Sequence, residues 1–448
     1  MGKMGVSARV LINNYRELPV VDEEIKRHFE ALPPDYWDFV SYGKRYTHNI
    51  HSYPAMMIPP ISENLLKIIK TYQPGIKNLF DPFAGSGTVL LEGLLAGMNV
   101  WGLDLNPLAC LISKAKCTPI NPDKLIKGNE IFLKRVTADF NSGKAKIDKP
   151  DFYNINYWFK DYVIEHLQII KQRIKELEDK DIKILYWVAF SETVRACSNT
   201  RNNEFKLYRI PEEKLPEFNP LVLDVFKANL KKCEQGMIEF YKNYRGNGRV
   251  EILARDTRDF SLNTEMDLMI TSPPYGDSRT TVAYGQFSRL SLQWLDLEEH
   301  GYYASRIEKE KLDKYLLGGT IDVEENTLPS DSLRETLKEI AKLDKKRALD
   351  VLSFYVDLDK CLKSITRHMR VNSYQFWVVG NRTVKKVNIP TNIIIGELGR
   401  QYNLIPVATI PRNISSKRMP KENSPTNVRG EKVATMNKEN IVVLRKVR

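Results

Sequence analysis

Asn78-Leu79-Phe80-Asp81-Pro82-Phe83-Ala84-Gly85-Ser86-Gly87-Thr88 is a short apolar run that stops at an acid, turns through proline and glycine, and opens into a helical stretch from Val89 to Ala96. A second run, Asn99-Val100-Trp101-Gly102-Leu103-Asp104, follows at once. Strand, tight turn, helix and strand with such short connections begin a βαβ unit, so the chain is read as α/β. Glycines at the turn let a ligand approach the backbone closely. Phosphate ligands fit badly: the turn has no Gly-Lys-Ser/Thr, and the third glycine of the dinucleotide fingerprint is missing. Asp81 at the mouth repels a pyrophosphate but welcomes an ammonium group. Asp104, 23 residues later, ends the next strand, where an acid accepts both hydroxyls of a ribose. An ammonium near Asp81 and a ribose near Asp104 together describe S-adenosylmethionine. Gly-x-Gly alone would better describe a tight turn with a capping aspartate.

A second strand end sharpens this reading. The run Met266 to Ile270 closes in Thr271-Ser272-Pro273-Pro274-Tyr275. Two prolines donate no backbone hydrogen bonds and each fixes its own φ, so the turn is stiff and its carbonyls are free to accept. Acceptors for an amino group, beside an aromatic ring to stack on, suit a planar base. An ordinary proline-rich turn is the bland alternative.

With both motifs in chain order, the sequence resembles the S-adenosylmethionine-dependent amino-group DNA methyltransferases. The resemblance implies a Rossmann-like class I methyltransferase sheet with helices on both faces, here carrying two largely helical insertions. It assigns the cofactor to Asp81, Phe83, Ala84, Gly85 and Gly87, with the ribose at Asp104 near Asn106 and the adenine near Asp256. His51-Ser52-Tyr53-Pro54-Ala55 looks like the family's N-terminal cofactor motif, which places Tyr53 and Pro54 at the methionine end. Ser272, Pro273, Pro274 and Tyr275 match the catalytic loop that holds a flipped-out base. The implied chemistry is attack of an exocyclic amino nitrogen on the sulfonium methyl, helped by acceptors at Ser272 and a proline carbonyl, with Tyr275 stacked on the base. Methylation of a cytosine ring carbon calls for a cysteine nucleophile, usually within a Pro-Cys dipeptide, and no such dipeptide is present. Serine at the first loop position resembles the cytosine-N(4) subgroup; adenine 6-amino enzymes more often carry an acidic or amide residue there. The expectation is therefore cytosine, with adenine as the alternative.

Composition bounds the rest. The chain has 448 residues, 42% hydrophobic and 28% charged, with net charge +12. That length suits about two or three domains, or one with large insertions. Residues 1–75 read as a lead-in carrying the cofactor-covering segment. Residues 76–117, 247–300 and 346–448 read as the catalytic core. Residues 118–246 are a helical insertion and a candidate for target recognition, and 301–345 a second, charged helical insertion whose simplest reading is a solvated face. No run approaches a membrane span and the N-terminus has no signal-peptide core, so the expectation is a cytoplasmic protein. The five cysteines are scattered, without a Cys-x-x-Cys pair, and the histidines offer no metal site.

The basic charge points to a polyanion, which the resemblance makes double-stranded DNA. Arg201, within the polar stretch Arg195 to Arg209, is a candidate contact. So are Arg412, Lys417 and Arg418, in a stretch from Ile410 to Lys432 read as a loop before the last strand. Gly380-Asn381-Arg382 is expected to border the active cleft. An RNA base methyltransferase and a catalytically silent nucleic-acid-binding subunit remain as rivals. A restriction-modification setting, phage defence and a solitary role look alike from this chain, as does any partner protein.

Overall fold

β1 (Asn78–Asp81) is an inner strand of a seven-stranded sheet, buried along its whole length. The structure is a computed structural model describing residues 20–54, 56–142, 150–201, 204–246, 248–277, 280–297, 309–320, 328–414 and 437–448, with the backbone of two short strands, Glu422–Asn423 and Val433–Ala434. The other strands are β2 (Asn99–Asp104), β3 (Val250–Ala254), β4 (Met266–Thr271), β5 (Met369–Gly380), β6 (Leu404–Asn413) and β7 (Lys438–Lys446), in the spatial order β3-β2-β1-β4-β5-β7-β6. The first five in that order run parallel, while β7 is antiparallel to both its neighbours. Leu79 faces Val100 on one side and Leu268 on the other, so the strand order reverses at β1. In an open α/β sheet, the crevice beyond the carboxyl ends at such a switch point is where ligands bind. Both motifs end there.

Alternation with period two divides the core between the two faces. Leu79, Val100, Leu268, Phe376 and Ile441 face one cluster; Phe80, Trp101, Met269, Trp377 and Val442 face the other. The first face carries α1 (Val20–Ala31), α2 (Pro59–Tyr72), α3 (Thr88–Leu95) and α4 (Pro107–Cys117), then α5 (Pro122–Ser142), α6 (Asp161–Lys175), α7 (Lys180–Cys197), α8 (Val222–Asn243) and α9 (Tyr284–Trp294). The second face carries α10 (Asp331–Leu343), α11 (Lys345–His368) and α12 (Thr391–Gly399). All five cysteines are free and buried. Among the described residues no helix is long and apolar enough to cross a membrane.

Gly102 marks where α3 lies tightly on the sheet: a Cβ there would fall 2.5 Å from Leu90 Cδ1 and 3.1 Å from Ala84 Cβ. Leu90 is itself fully buried and cannot swing aside. Gly102→Ala is therefore expected to cost about 1–3 kcal/mol by overpacking, read as a lower urea midpoint with an unchanged slope.

β6 corrects the sequence reading. Leu404 to Asn413 is a strand, so the stretch beginning at Ile410 is not wholly loop. Pro406 and Pro411 disguised it. β6 pairs only with β7 and forms the sheet edge, where a missing N–H costs no ladder bond on the free side. β5 is likewise longer than the run from Phe376 suggests, because Arg370, Val371 and Asn372 at its start are exposed.

Candidate active site

The turn after β1 is built by two left-handed glycines, Gly85 at φ +51 and Gly87 at φ +77, a region open to glycine at little cost. Ser113 of α4 donates from Oγ to the Gly85 carbonyl at 2.8 Å, and a Cβ on Gly87 would lie 2.9 Å from that hydroxyl. The Ala84 N–H donates to the Leu103 carbonyl at 2.9 Å, fixing the turn against β2. Asp104 accepts from the Gly85 N–H at 2.9 Å and the Asn106 N–H at 2.8 Å. Thr271, the last residue of β4, donates from Oγ1 to Asp81 Oδ1 at 2.6 Å. That bond joins the two motifs into one site.

A cleft of about 880 Å³, its open mouth included, lies over this junction. Tyr53, Pro54, Asp81, Phe83, Ala84, Gly85, Asp104, Asn106 and Asp256 all line it, as do Ser272 and Pro274 of the proline loop. Gly87, Pro273 and Tyr275 stand behind the wall. Tyr53 is held by a stack with Tyr284 (centroids 6.0 Å apart) and by its hydroxyl, which accepts from Asn106 Nδ2 at 3.0 Å. Its segment is anchored to α3 by His48 Nε2 against Glu92 Oε1 at 2.7 Å, both buried. Asn106 is largely committed: Nδ2 also donates to Ser288 at 2.7 Å and Oδ1 caps α4 through the Leu108 N–H at 3.1 Å. Asp256 is gripped by its neighbour Arg258, with Nη2 at 2.6 Å.

The second insertion is not simply a solvated face. Tyr315, Leu316 and Leu317 line the cleft, and Arg258 pins them by donating from Nη2 to the Tyr315 carbonyl at 2.7 Å and from Nη1 to Asp357 at 2.9 Å. The adjacent apolar pair before Gly318-Gly319, in an otherwise charged segment, was the signal. Tyr284, Met56, Met57 and Thr257 are further wall residues that motif reading missed.

Burial dominates the electrostatics. Asp81, 3% exposed, has its pKa pushed up to about 7 by desolvation, against the hydrogen bonds from Thr271 and Phe83. Desolvation likewise lifts Asp104 to about 6. A cationic ligand beside Asp81 binds the carboxylate form, so binding expels the proton. Affinity for an ammonium-bearing ligand is thus expected to weaken as pH falls from 7 to 5, approaching about tenfold per unit, with Asp104 adding in the same direction. Calorimetric titration with S-adenosylhomocysteine checks this; a flat profile over that range would contradict it.

The proline loop is tied to the far end of the sheet. Tyr275 donates its hydroxyl to Glu439 Oε1 of β7 at 3.0 Å and lies 3.2 Å from Ser272 Oγ. Burial first, and Glu439 second, raise the Tyr275 pKa, so its proton stays on. With that proton given to Glu439, the Ser272 proton points to Tyr275 and leaves the Ser272 lone pairs for the cleft. Glu439 is paired in turn with Arg412, whose Nε donates to the Trp37 carbonyl at 2.9 Å. Beyond the loop, Arg382 covers Gly276, leaving no room for a Cβ there, and bonds Asp277 at 3.3 Å and Thr280 at 3.0 Å.

One reading changes accordingly. Arg412 is not a phosphate contact on a loop: it is 5% exposed, on β6, and committed to Glu439 and Trp37. Tyr275 is partly exposed, with its hydroxyl held by β7. Arg201 is exposed, 3.3 Å from Glu204, within a short turn whose Leu207 N–H bonds Gln286 of α9 at 3.2 Å. Arg195 of the same stretch is buried over the Phe287 ring at 3.8 Å. Lys417 and Arg418 lie outside the described residues.

Comparison with known proteins now places the chain. The family described as D12 class N6 adenine-specific DNA methyltransferase matches residues 63–293. The chain is 46% identical over 421 residues to the Type II methyltransferase M.MvaI of Kocuria varians, spanning 90% of this chain and 91% of that protein. It is 26% identical over 327 residues to the Type II methyltransferase M.MjaII of Methanocaldococcus jannaschii, spanning 67% of this chain and 59% of that one. Among solved structures, the rRNA methyltransferase aviRa from Streptomyces viridochromogenes aligns with 90% of this chain and 91% of that chain at 10% identity, with a TM-score of 0.31 that carries no argument. The family match overturns the cytosine-N(4) assignment drawn from Ser272. The physical reason is plain: a hydroxyl and a proline carbonyl accept protons equally from the amino group of either base.

Proposed function

Since the chain belongs to the D12 class N6 adenine-specific DNA methyltransferase family, we propose that it methylates the exocyclic 6-amino group of adenine within a specific sequence of double-stranded DNA, using S-adenosylmethionine, as the modifying enzyme of a type II restriction-modification system. The observation that carries this reading is the Thr271–Asp81 bond, which sets the cofactor turn and the proline loop in one crevice.

The residues present fit that cofactor. Asp81 offers a carboxylate to an ammonium. Asp104 keeps lone pairs beyond its backbone bonds and can take ribose hydroxyls. Tyr53, Phe83 and Leu317 supply apolar wall. When bound, S-adenosylmethionine supplies a methyl group already activated by its sulfonium, so the chain needs no nucleophile of its own. Its task is alignment. Ser272 and the stiff proline carbonyls accept the amino protons, drawing the nitrogen toward a tetrahedral shape with an available lone pair. Glu439 and Tyr275 fix which way the Ser272 hydroxyl points. Thr271 keeps the two halves in register.

Expression in a host lacking its own DNA methylation tests the proposal, followed by single-molecule sequencing of the genomic DNA. The expected outcome is 6-methyladenine at nearly every copy of one short sequence. Methylation scattered without sequence preference, or none in DNA, would overturn it.

A further inference from the structure

Pro273 and Pro274 carry no N–H, so the loop that follows β4 has no ladder bonds to donate over that stretch. The register shows where pairing stops. Thr271, the last residue of β4, faces Trp377, while β5 runs on through Val378 and Val379 to Gly380. A loop that must present acceptors in a fixed direction is therefore left for side chains to hold. They come from adjacent strand ends. Glu439 of β7, which faces Gly380, takes the Tyr275 hydroxyl. Arg382, just past Gly380, takes the next residue of the loop, Gly276.

The contact with Gly276 is one of shape. A Cβ on Gly276 would lie 2.8 Å from Arg382 Cζ and 2.9 Å from its Cδ, so the arginine fills the place of a side chain. Its nitrogens reach the turn beyond, Nη1 donating to Asp277 Oδ2 at 3.3 Å and Nη2 to Thr280 Oγ1 at 3.0 Å. Thr280 closes the triangle by donating to the same Asp277 oxygen at 2.6 Å. Asp277 is itself a fixed post. It is fully buried, and a Cβ on Gly318 of the second insertion would lie 3.1 Å from the Asp277 Cβ. The Gly318 N–H donates to Asp357 at 2.9 Å, the carboxylate that also holds Arg258. A buried ion pair is weak support for stability, because desolvation offsets its attraction. A planar guanidinium held at two nitrogens does fix direction.

We propose that Arg382 is a positioning residue for methyl transfer: by clamping Gly276 against Asp277 it sets the exit of the proline loop, and so the direction in which Ser272 and the proline carbonyls meet the amino group. The inference rests on the amino-group methyltransferase reading and adds to it a residue outside both motifs.

Single-turnover methylation of unmethylated double-stranded DNA, with enzyme and cofactor in excess, reads the chemical step. Calorimetry with S-adenosylhomocysteine reads the cofactor site apart from it. Arg382→Met keeps much of the side chain's length and removes the guanidinium. Its single-turnover rate is expected to fall about tenfold, short of the roughly hundredfold that a misplacement of about 1 Å can cost, because the Tyr275 tie remains. Its affinity for S-adenosylhomocysteine is expected to match wild type. Arg382→Lys, which keeps the charge without the planar fork, is expected to fall between the two in rate. Gly276→Ala keeps the ion pair's members but occupies the arginine's place, and is expected to match the methionine variant. A full rate in Arg382→Met, or a rate that falls only in step with S-adenosylhomocysteine binding, would overturn the proposal and leave the methyltransferase reading standing. A wild-type protein that transfers no methyl to DNA would overturn both.

Discussion

Asp81→Ala is expected to weaken S-adenosylhomocysteine binding by about 100-fold or more. Two effects combine at this position. The substitution removes the carboxylate that meets the ligand's ammonium, and breaking such a desolvated charge pair costs about 3–5 kcal/mol. It also strips Thr271 of its acceptor, loosening the joint between β1 and β4. Asp81→Asn separates the two, because the amide oxygen can still accept from Thr271 while the negative charge is gone. The asparagine variant should therefore fold with near wild-type stability and still lose most of its affinity. If it bound as tightly as wild type, Asp81 would be a turn-capping residue and the ammonium would lie elsewhere.

The second large effect is expected at Tyr275. Its hydroxyl connects Ser272 to Glu439, so Tyr275→Phe keeps the ring and frees the Ser272 proton to turn toward the cleft. A donor would then face the amino group where an acceptor is needed. The expected result is a fall in kcat of about tenfold, the worth of one oriented hydrogen bond, with cofactor affinity unchanged. Tyr275→Ala also empties the space behind the proline loop and should fall by about a further tenfold or more. Glu439→Gln should resemble the phenylalanine variant in kcat, since an amide oxygen is a weaker acceptor than a carboxylate. If Tyr275→Phe kept full kcat while Tyr275→Ala lost it, the ring alone would matter and the relay to β7 would be idle.

Much of the cleft wall was legible because it is local. Asp81, Gly85 and Asp104 lie at strand ends that hydrophobic runs and glycines mark within one βαβ unit. Ser272 and Pro274 were legible for the same reason. What the sequence hid is built by long-range pairing. Glu439 stands 164 residues beyond Tyr275 and reaches it only because β7 inserts antiparallel between β5 and β6. Arg412 looked like a surface cation while β6 was disguised by its prolines. The target base was over-read from Ser272, a side chain that accepts protons without reading the ring behind them.

The most direct test of the central claim is transfer of label. Purified protein is incubated with tritiated S-adenosylmethionine and unmethylated double-stranded DNA, with total RNA in parallel, and each pool is digested to nucleosides and separated. The expected result is label in 6-methyladenine from DNA alone. Label in 4-methylcytosine would contradict the target base, and label confined to RNA, or in neither pool, would contradict the activity.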